Sequence, residues 1–296
     1  MLDFQRVTIG DKDRMTKLFY DEKQRGCEYT FGNVFIWRDI YDTKVALSND
    51  GICVVRFDKE AEAYLFPVGR GDLKDVVDEM ISNSAERNVP FRIIAASKGD
   101  TERLDALYPG MFKYHENRDF AEYVYNSADL IELSGKKYHG KRNHISRFTA
   151  QYPDYAFEEM TCENIDEVRA MNDEWYRQYL ERGNAGLENE RRAATSAFEC
   201  FFELDFKGGL IRAGGDVVAF AIGEPIDSET FCIHIEKADH KINGAYSVIN
   251  RDFARHFCSP YQYVNREDDL GVEGLRKAKL SYYPAEITQK LVVEIK

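Results

Sequence analysis

The chain has few residues that would stiffen or cross-link it: 7 Pro, 2 Trp and 6 Cys among 296 residues. The cysteines, Cys27, Cys53, Cys162, Cys200, Cys232 and Cys258, are scattered with no CxxC pair. That excludes a disulfide scaffold and points to reduced, packed thiols in a cytoplasmic protein. No stretch approaches the ~18 uncharged apolar residues of a membrane span, and the opening MLDFQRVTIGDKDRM lacks the apolar centre of a signal peptide. Positive charge is short as well. Lys and Arg number 40 against 52 Asp and Glu, a net charge of −12, which excludes a chain coated in basic charge but not a local basic site. No HExxH, GxSxG, phosphate-binding loop or paired dehydrogenase fingerprint occurs, and His139 and His144, five apart, do not suggest zinc.

What is present is core material: 44% apolar residues, with 18 Tyr and 19 Phe, enough for one large domain or two of about 150 residues. Periodicity gives the same order of elements twice. In the first pass a strand at Phe4–Ile9 precedes helices near Asp11–Tyr20 and Phe31–Tyr41. Three short strands follow, at Val45–Leu47, Ile52–Phe57 and Ala63–Phe66. Leu73, Val76, Val77, Met80 and Ile81 form a helical stripe, and Phe91–Ala95, Thr101–Leu107 and Phe112–Tyr125 supply a strand, a short helix and two more strands. The second pass starts with a strand at Tyr155–Met160. Thr161 caps a helix with Trp175, Tyr176 and Tyr179 on an aromatic face, and the loop Arg182–Gly186 ends it. A second helix covers Glu188–Leu204. A meander follows at Leu210–Ala213, Val217–Ile222 and Thr230–Glu236. A helix striped by Ala245, Val248, Ile249, Phe253 and Phe257, a strand at Tyr261–Val264, a helix at Gly271–Leu280 and a final strand at Ile287–Ile295 complete the pass. Each half reads β-α-α-β-β-β-α-β-α-β.

That order resembles the GNAT acyltransferase fold in tandem. The expected fold class is therefore α/β with mixed sheets, in two GNAT-like lobes. The N-terminal lobe is expected over 1–134 and the C-terminal lobe over 135–296, the latter with a connecting basic helix over 136–149. Two segments are more specific, Lys136–Phe148 (KKYHGKRNHISRF) and Tyr263–Pro284 (YVNREDDLGVEGLRKAKLSYYP). They resemble the C-terminal domain of bacterial phosphatidylglycerol lysyltransferases. Against that family's Leu-x-x-Phe-Lys-x-Lys-Phe-x-Pro run, Leu275, Lys279 and Pro284 match, while Ala278 and Ser281 depart. The resemblance implies transfer of an aminoacyl group from aminoacyl-tRNA to a small amine or hydroxyl acceptor, with no separate cofactor. The rivals are a CoA-dependent N-acyltransferase using acetyl-CoA and a binding protein without chemistry.

On the strand Thr230–Glu236, alternation places Cys232, His234 and Glu236 on one face. In GNAT-like proteins this strand runs along the cleft. His234 or Glu236 is then a candidate base for the attacking amine, with a structural pair as the alternative. Tyr282 falls where many acetyltransferases keep a tyrosine that protonates the leaving group. Before the second lobe's stripe, Lys241-x-x-Gly244-x-Tyr246 stands where CoA-using relatives place small residues around a pyrophosphate. Tyr246 would crowd one, and Asn243 with Gly244 equally reads as a capped helix start. Lys136, Lys137, Lys141, His144 and Arg147 share one helical arc, suited to a polyanion such as tRNA phosphates or to the protein's own carboxylates. Arg266 and Asp269 follow a strand end. Arg276 and Lys279, three apart, either hold a phosphate or carboxylate or lock the helix to Glu267 and Asp269.

Overall fold

The computed structural model describes residues 2–22, 24–48, 51–180 and 186–296, with only the backbone at 179, 180 and 186. The loop expected at 182–186 thus lies outside the described residues except for its last member, as does the Tyr179 side chain. The chain forms two compact units.

The first unit comprises residues through Glu122, then Asp268–Arg276 and Ile287–Lys296. Its elements begin with β1 (Gln5–Arg6), α1 (Lys12–Glu22), α2 (Phe31–Ile36) and α3 (Arg38–Tyr41). The strands β2 (Thr43–Leu47), β3 (Ile52–Phe57), β4 (Ala63–Leu65) and β5 (Val68–Gly69) follow, then α4 (Leu73–Glu86), β6 (Arg92–Ala96), α5 (Lys98–Leu107) and β7 (Phe112–Glu116). Local chemistry sets the helix starts. The Asp72 carboxylate accepts from the amides of Lys74 and Asp75 ahead of α4, and Ser97 with Asp100 forms a capping box at α5. The α4 stripe then buries Val76, Val77 and Met80 with Tyr64, Ile93 and Phe112.

The second unit comprises Tyr123–Glu267 and Lys277–Glu286. The chain passes through β8 (Glu122–Asn126), α6 (Ser127–Glu132), α7 (His139–Gln151), β9 (Ala156–Glu159), α8 (Ile165–Leu180) and α9 (Gly186–Glu199). The meander β10 (Lys207–Ala213), β11 (Asp216–Pro225) and β12 (Thr230–Ala238) leads to α10 (Ala245–Phe253), β13 (Tyr263–Asn265), α11 (Glu273–Leu280), β14 (Glu286–Thr288) and β15 (Leu291–Ile295). The expected basic helix opens as a 3-10 turn at Lys136–Tyr138 before α7 begins. Val248, Ile249 and Phe253 of α10 pack with Ala219, Ala221, Phe231 and Ile233.

The element order follows the expected repeat, but the strands at the end of each pass change sheets. The first sheet runs β1-β2-β3-β4-β6-β15-β7, with β5 beside β3; the second runs β14-β8-β13-β12-β11-β10-β9. The final strand expected in the second lobe is two short ones, and β15 inserts between β6 and β7, where Val293 is fully buried. In return β8 pairs with β13. The boundary expected between 134 and 135 therefore differs from the compact units, which divide at Glu122 and again in the last thirty residues. The continuous apolar runs Tyr123, Val124, Tyr125 in β8 and Leu291, Val292, Val293 in β15 specify a buried strand without specifying which sheet receives it. Among the described residues no helix is long and apolar enough to cross a membrane.

Candidate functional site

In the second unit β12 and β13 run parallel and pair over only three residues, Thr230 with Tyr263, Phe231 with Val264 and Cys232 with Asn265. Beyond them the strands separate. β12 stays on β11 as far as Ala238, while Arg266 and Glu267 keep exchanging backbone hydrogen bonds with Tyr123. Side chains from both strands enter the resulting splay.

A polar cluster collects there. Arg266 Nη2 donates to Glu236 Oε1 at 2.8 Å, and Asn250 Nδ2 of α10 donates to Glu236 Oε2 at 2.9 Å. The Arg266 guanidinium lies 4.9 Å from the Tyr282 ring centre and 5.6 Å from that of Tyr125, and Lys141 Nζ of α7 sits 3.7 Å over Tyr282. Lys279 donates to the Arg266 carbonyl, while the Tyr125 hydroxyl donates to the Lys279 carbonyl at 2.9 Å. Arg266 and Glu236 are each nearly nine-tenths buried. Yet Arg266 Nη1 and Asn250 Oδ1 find no hydrogen-bond partner among the described residues, a costly state for buried polar atoms. Burial brings the Lys141 amine down to about 8; the positive Arg266 adds to the fall and Glu236 opposes it. Burial pushes the Tyr282 phenol up to about 12 despite Arg266 nearby, so it stays protonated.

The splay therefore gathers Glu236, Tyr282, Lys141, Arg266 and Lys279 from the residues singled out in the sequence. His234 is not among them. A β-bulge sets Ile222 and Gly223 of β11 opposite Ile235 and Ile233, which leaves His234 unopposed. The extra residue breaks the alternation, so Glu236 turns to α10 while His234 lies on the other face near Phe206. There the ring is held between Glu224, 3.0 Å from Nε2, and Glu267, 2.8 Å from Nδ1. Burial alone would lower its pKa; Cys232 and the two carboxylates outweigh burial and raise it well above the usual histidine value.

The residues at the start of α10 take a structural arrangement. Gly244 sits at a φ of +91°, and a Cβ on it would come 2.4 Å from the His144 carbonyl oxygen of α7. Asn243 makes no cap; its Oδ1 lies 3.0 Å from His144 Nδ1. The backbone amide of Lys241 donates to Asp239. Lys137 pairs with Asp129 at 3.5 Å and lies near the Tyr138 ring. In the first unit, Asp269 is fully buried and accepts two hydrogen bonds from Arg276, whose Nη2 also reaches Asp119 at 2.7 Å. Arg276 thus pairs with Asp269 and Asp119, and not with Glu267.

Asn250 was not singled out in the sequence; a polar residue among the stripe positions Val248, Ile249 and Phe253 of α10 is the signal that was available, and the structure buries it fully. Nor was a buried triad in the first unit, Lys290 between Glu28 and Glu122. A cavity of about 320 Å³ lies apart from the cluster, lined by Glu174, Trp175, Asp216 and Asp239 among others. Glu174 there is already bound by Arg177.

A crystal structure of a conserved protein of unknown function from Bacteroides thetaiotaomicron is similar over 100% of both chains, with a TM-score of 0.95 and 40% identity. The C-terminal domain of a putative lysylphosphatidylglycerol synthetase from Agrobacterium fabrum is similar at a TM-score of 0.69 and 15% identity, covering 96% of this chain and 91% of that one. A tandem GNAT protein from the clavulanic acid biosynthesis pathway aligns over 100% of this chain and 98% of its own, at 0.50 and 8%. With the two mixed sheets, these likenesses give the fold as a tandem GNAT-like α/β architecture. An uncharacterized protein of Mycoplasmoides gallisepticum is 22% identical over 178 residues, an alignment that spans 58% of this chain and only 56% of that curated relative. The profile of the family described as phosphatidylglycerol lysyltransferase, C-terminal, matches residues 21–293. With that match over nearly its whole length, the chain belongs to the family of the phosphatidylglycerol lysyltransferase C-terminal domain.

Proposed function

We propose that this chain transfers an aminoacyl group from aminoacyl-tRNA to an amine or hydroxyl acceptor, and that the splay of the second unit is the reaction centre. The observation that carries the reading is the buried Arg266–Glu236 pair with an unmatched guanidinium N–H, beside an amine whose pKa is brought to about 8. Membership of an acyltransferase-like family supports the reaction class.

The chemistry follows from these groups. The acceptor N–H or O–H gives its proton to Lys141, of which roughly a tenth is neutral at pH 7 given a pKa near 8. The acceptor atom bonds to the ester carbonyl carbon, and negative charge develops on the carbonyl oxygen. Arg266 Nη1 is the donor left to meet that charge, in a site where burial strengthens the interaction. The bond from carbonyl carbon to ribose oxygen then breaks, and the proton held by Lys141 passes to the departing hydroxyl. Glu236 fixes the guanidinium through one oxygen and is itself held by Asn250 through the other. Lys136, His144 and Arg147 are exposed, which supports a role for them in meeting tRNA phosphates. The contact of Gly244 with His144 narrows the space where a pyrophosphate would lie, which supports a donor other than CoA. Ala278 and Ser281 at the departures from the family run leave the acceptor open between a lipid hydroxyl and a water-soluble amine.

The test is transfer of radiolabelled amino acid from charged tRNA, supplied in turn with phosphatidylglycerol vesicles and with soluble amines. The wild type should form labelled product with one acceptor class. Arg266→Ala and Lys141→Met should lose at least about 100-fold in rate while circular dichroism stays unchanged. Full activity in both variants, or no binding of charged tRNA even at low salt, defeats the proposal.

A further inference from the structure

On the face of β12 opposite the acyl-transfer cluster, three donor atoms of different chemistry converge. Cys232 Sγ lies 3.5 Å from His234 Nδ1, His234 Nδ1 lies 2.8 Å from Glu267 Oε1, and Cys232 Sγ lies 3.9 Å from the same Glu267 oxygen. A triangle with these sides has a point about 2 Å from every corner, close to the zinc–nitrogen and zinc–oxygen bond lengths, and a small shift out of the plane reaches the longer zinc–sulfur bond. We propose that Cys232, His234 and Glu267 form a zinc site in the second unit, with Glu224 orienting the histidine from behind.

The arrangement around His234 is that of a metal-bound imidazole. Its Nε2 faces Glu224 at 3.0 Å, so a proton on Nε2 leaves the Nδ1 lone pair directed at the thiol and Glu267. A carboxylate, a histidine nitrogen and a thiolate are a borderline set that suits Zn²⁺ over the hard cations Mg²⁺ and Ca²⁺. Cys232 is fully buried, the His234 side chain is 2% exposed, and Glu267 is 25% exposed. The site is therefore closed on the sheet side and entered past Glu267, which leaves a fourth position for water or another ligand. The backbone commits Glu267 to this place. It adopts a φ of +57°, its amide donates to Asn265 Oδ1 at 2.8 Å, and its carbonyl accepts from Tyr123. His-to-His spacing along the sequence does not reveal such a site, since two ligands come from a Cys-x-His pair and the third from 33 residues further on.

The ion would bridge β12 to the segment after β13 at the point where the two strands separate. Its neighbour in the chain is Arg266, so the site fixes the angle of the splay and the position of that guanidinium.

The test uses the full chain grown with zinc and purified without chelator. Metal content should be about one zinc per chain, and cobalt loaded into the stripped protein should give an intense thiolate-to-metal charge-transfer band in the near ultraviolet. Cys232→Ser should abolish that band, and Glu224→Gln should weaken zinc binding by about 10–100-fold against a chromophoric chelator. Should Cys232→Ser fail to fold, Glu267→Gln, at the exposed corner, should show the same loss of zinc. No uptake of zinc or cobalt by the stripped, folded protein overturns the proposal. So does cobalt binding without the thiolate band, or Glu267→Gln binding zinc like the wild type.

Discussion

Lys290 offers the sharpest test of what holds the first unit together. Its side chain is 7% exposed and sits between two carboxylates, Glu122 at 2.7 Å and Glu28 closer still. Glu122 is fully buried and also accepts from the Cys27 amide at 3.0 Å. Replacing Lys290 with Met keeps the apolar stem and removes the charge, which leaves both carboxylates without the cation that pairs them. Breaking one partner out of a buried pair costs about 3–5 kcal/mol. Glu28 is about one-fifth exposed and recovers some hydration, so the lower half of that range is expected. With a urea slope of about 1–3 kcal/mol/M, the midpoint of the first unit's transition should fall by roughly 1–4 M. The pH dependence provides a second check. Burial alone would raise Glu122, but Lys290 and the Cys27 amide outweigh it and hold the carboxyl below its ordinary value of 4.5. A depressed carboxylate adds stability above pH 4.5 that is lost as pH falls through the folded value. In Lys290→Met that contribution is gone, so the gap between the two proteins should be widest near neutral pH and should close on acidification. Urea titrations at pH 7 and pH 4, followed by circular dichroism, measure both quantities. A midpoint within 0.3 M of wild type at pH 7, or a gap that grows on acidification, refutes the reasoning (a threshold of roughly half a kcal/mol).

If Lys141 takes the proton as its neutral amine, transfer rates should climb with pH and level off above about 8, and Lys141→Arg should remove that limb; a rate that falls across the same range refutes the role. The lowered Lys141 pKa also means the folded chain binds fewer protons between about 8 and 10.5, so this group's contribution to stability should rise with pH across that window, as denaturation of wild type against Lys141→Met would reveal. Gly244→Ala must force a Cβ against the His144 carbonyl at a positive φ, which should cost about 1–3 kcal/mol in thermal denaturation, and an unchanged melting temperature would contradict the close approach of α7 and α10. Acetyl-CoA at about 1 mM should leave the melting temperature unchanged, whereas a clear rise would restore a CoA site at the start of α10.

The parts legible in the sequence are those governed by short-range rules. The stripes of α4 and α10 and the β10-β11-β12 meander follow from spacing over a few residues. Where an outcome depends on partners far along the chain, the reading diverges. A one-residue bulge against Ile222 and Gly223 sends His234 and Glu236 to opposite faces, and nothing in Thr230–Glu236 announces it. Lys141 belongs to a basic arc that looks solvated, yet it bends over Tyr282, 141 positions later, because a long aliphatic stem can bury while its head meets a ring. Lys290 gave no signal, since its two carboxylate partners lie some 170 and 260 residues earlier.

The insertion of β15 has a consequence for the nascent chain. Among the described residues β7 pairs within its sheet only with β15, which leaves the ribosome about 175 residues later. Until then β6 and β7 present bare edges, so the first unit cannot close while the second is still being made. Synthesis and maturation of this half are thereby uncoupled: the portion translated earliest is among the last to be completed, and a ribosome stalled before Leu291 would release an aggregation-prone fragment rather than a finished domain.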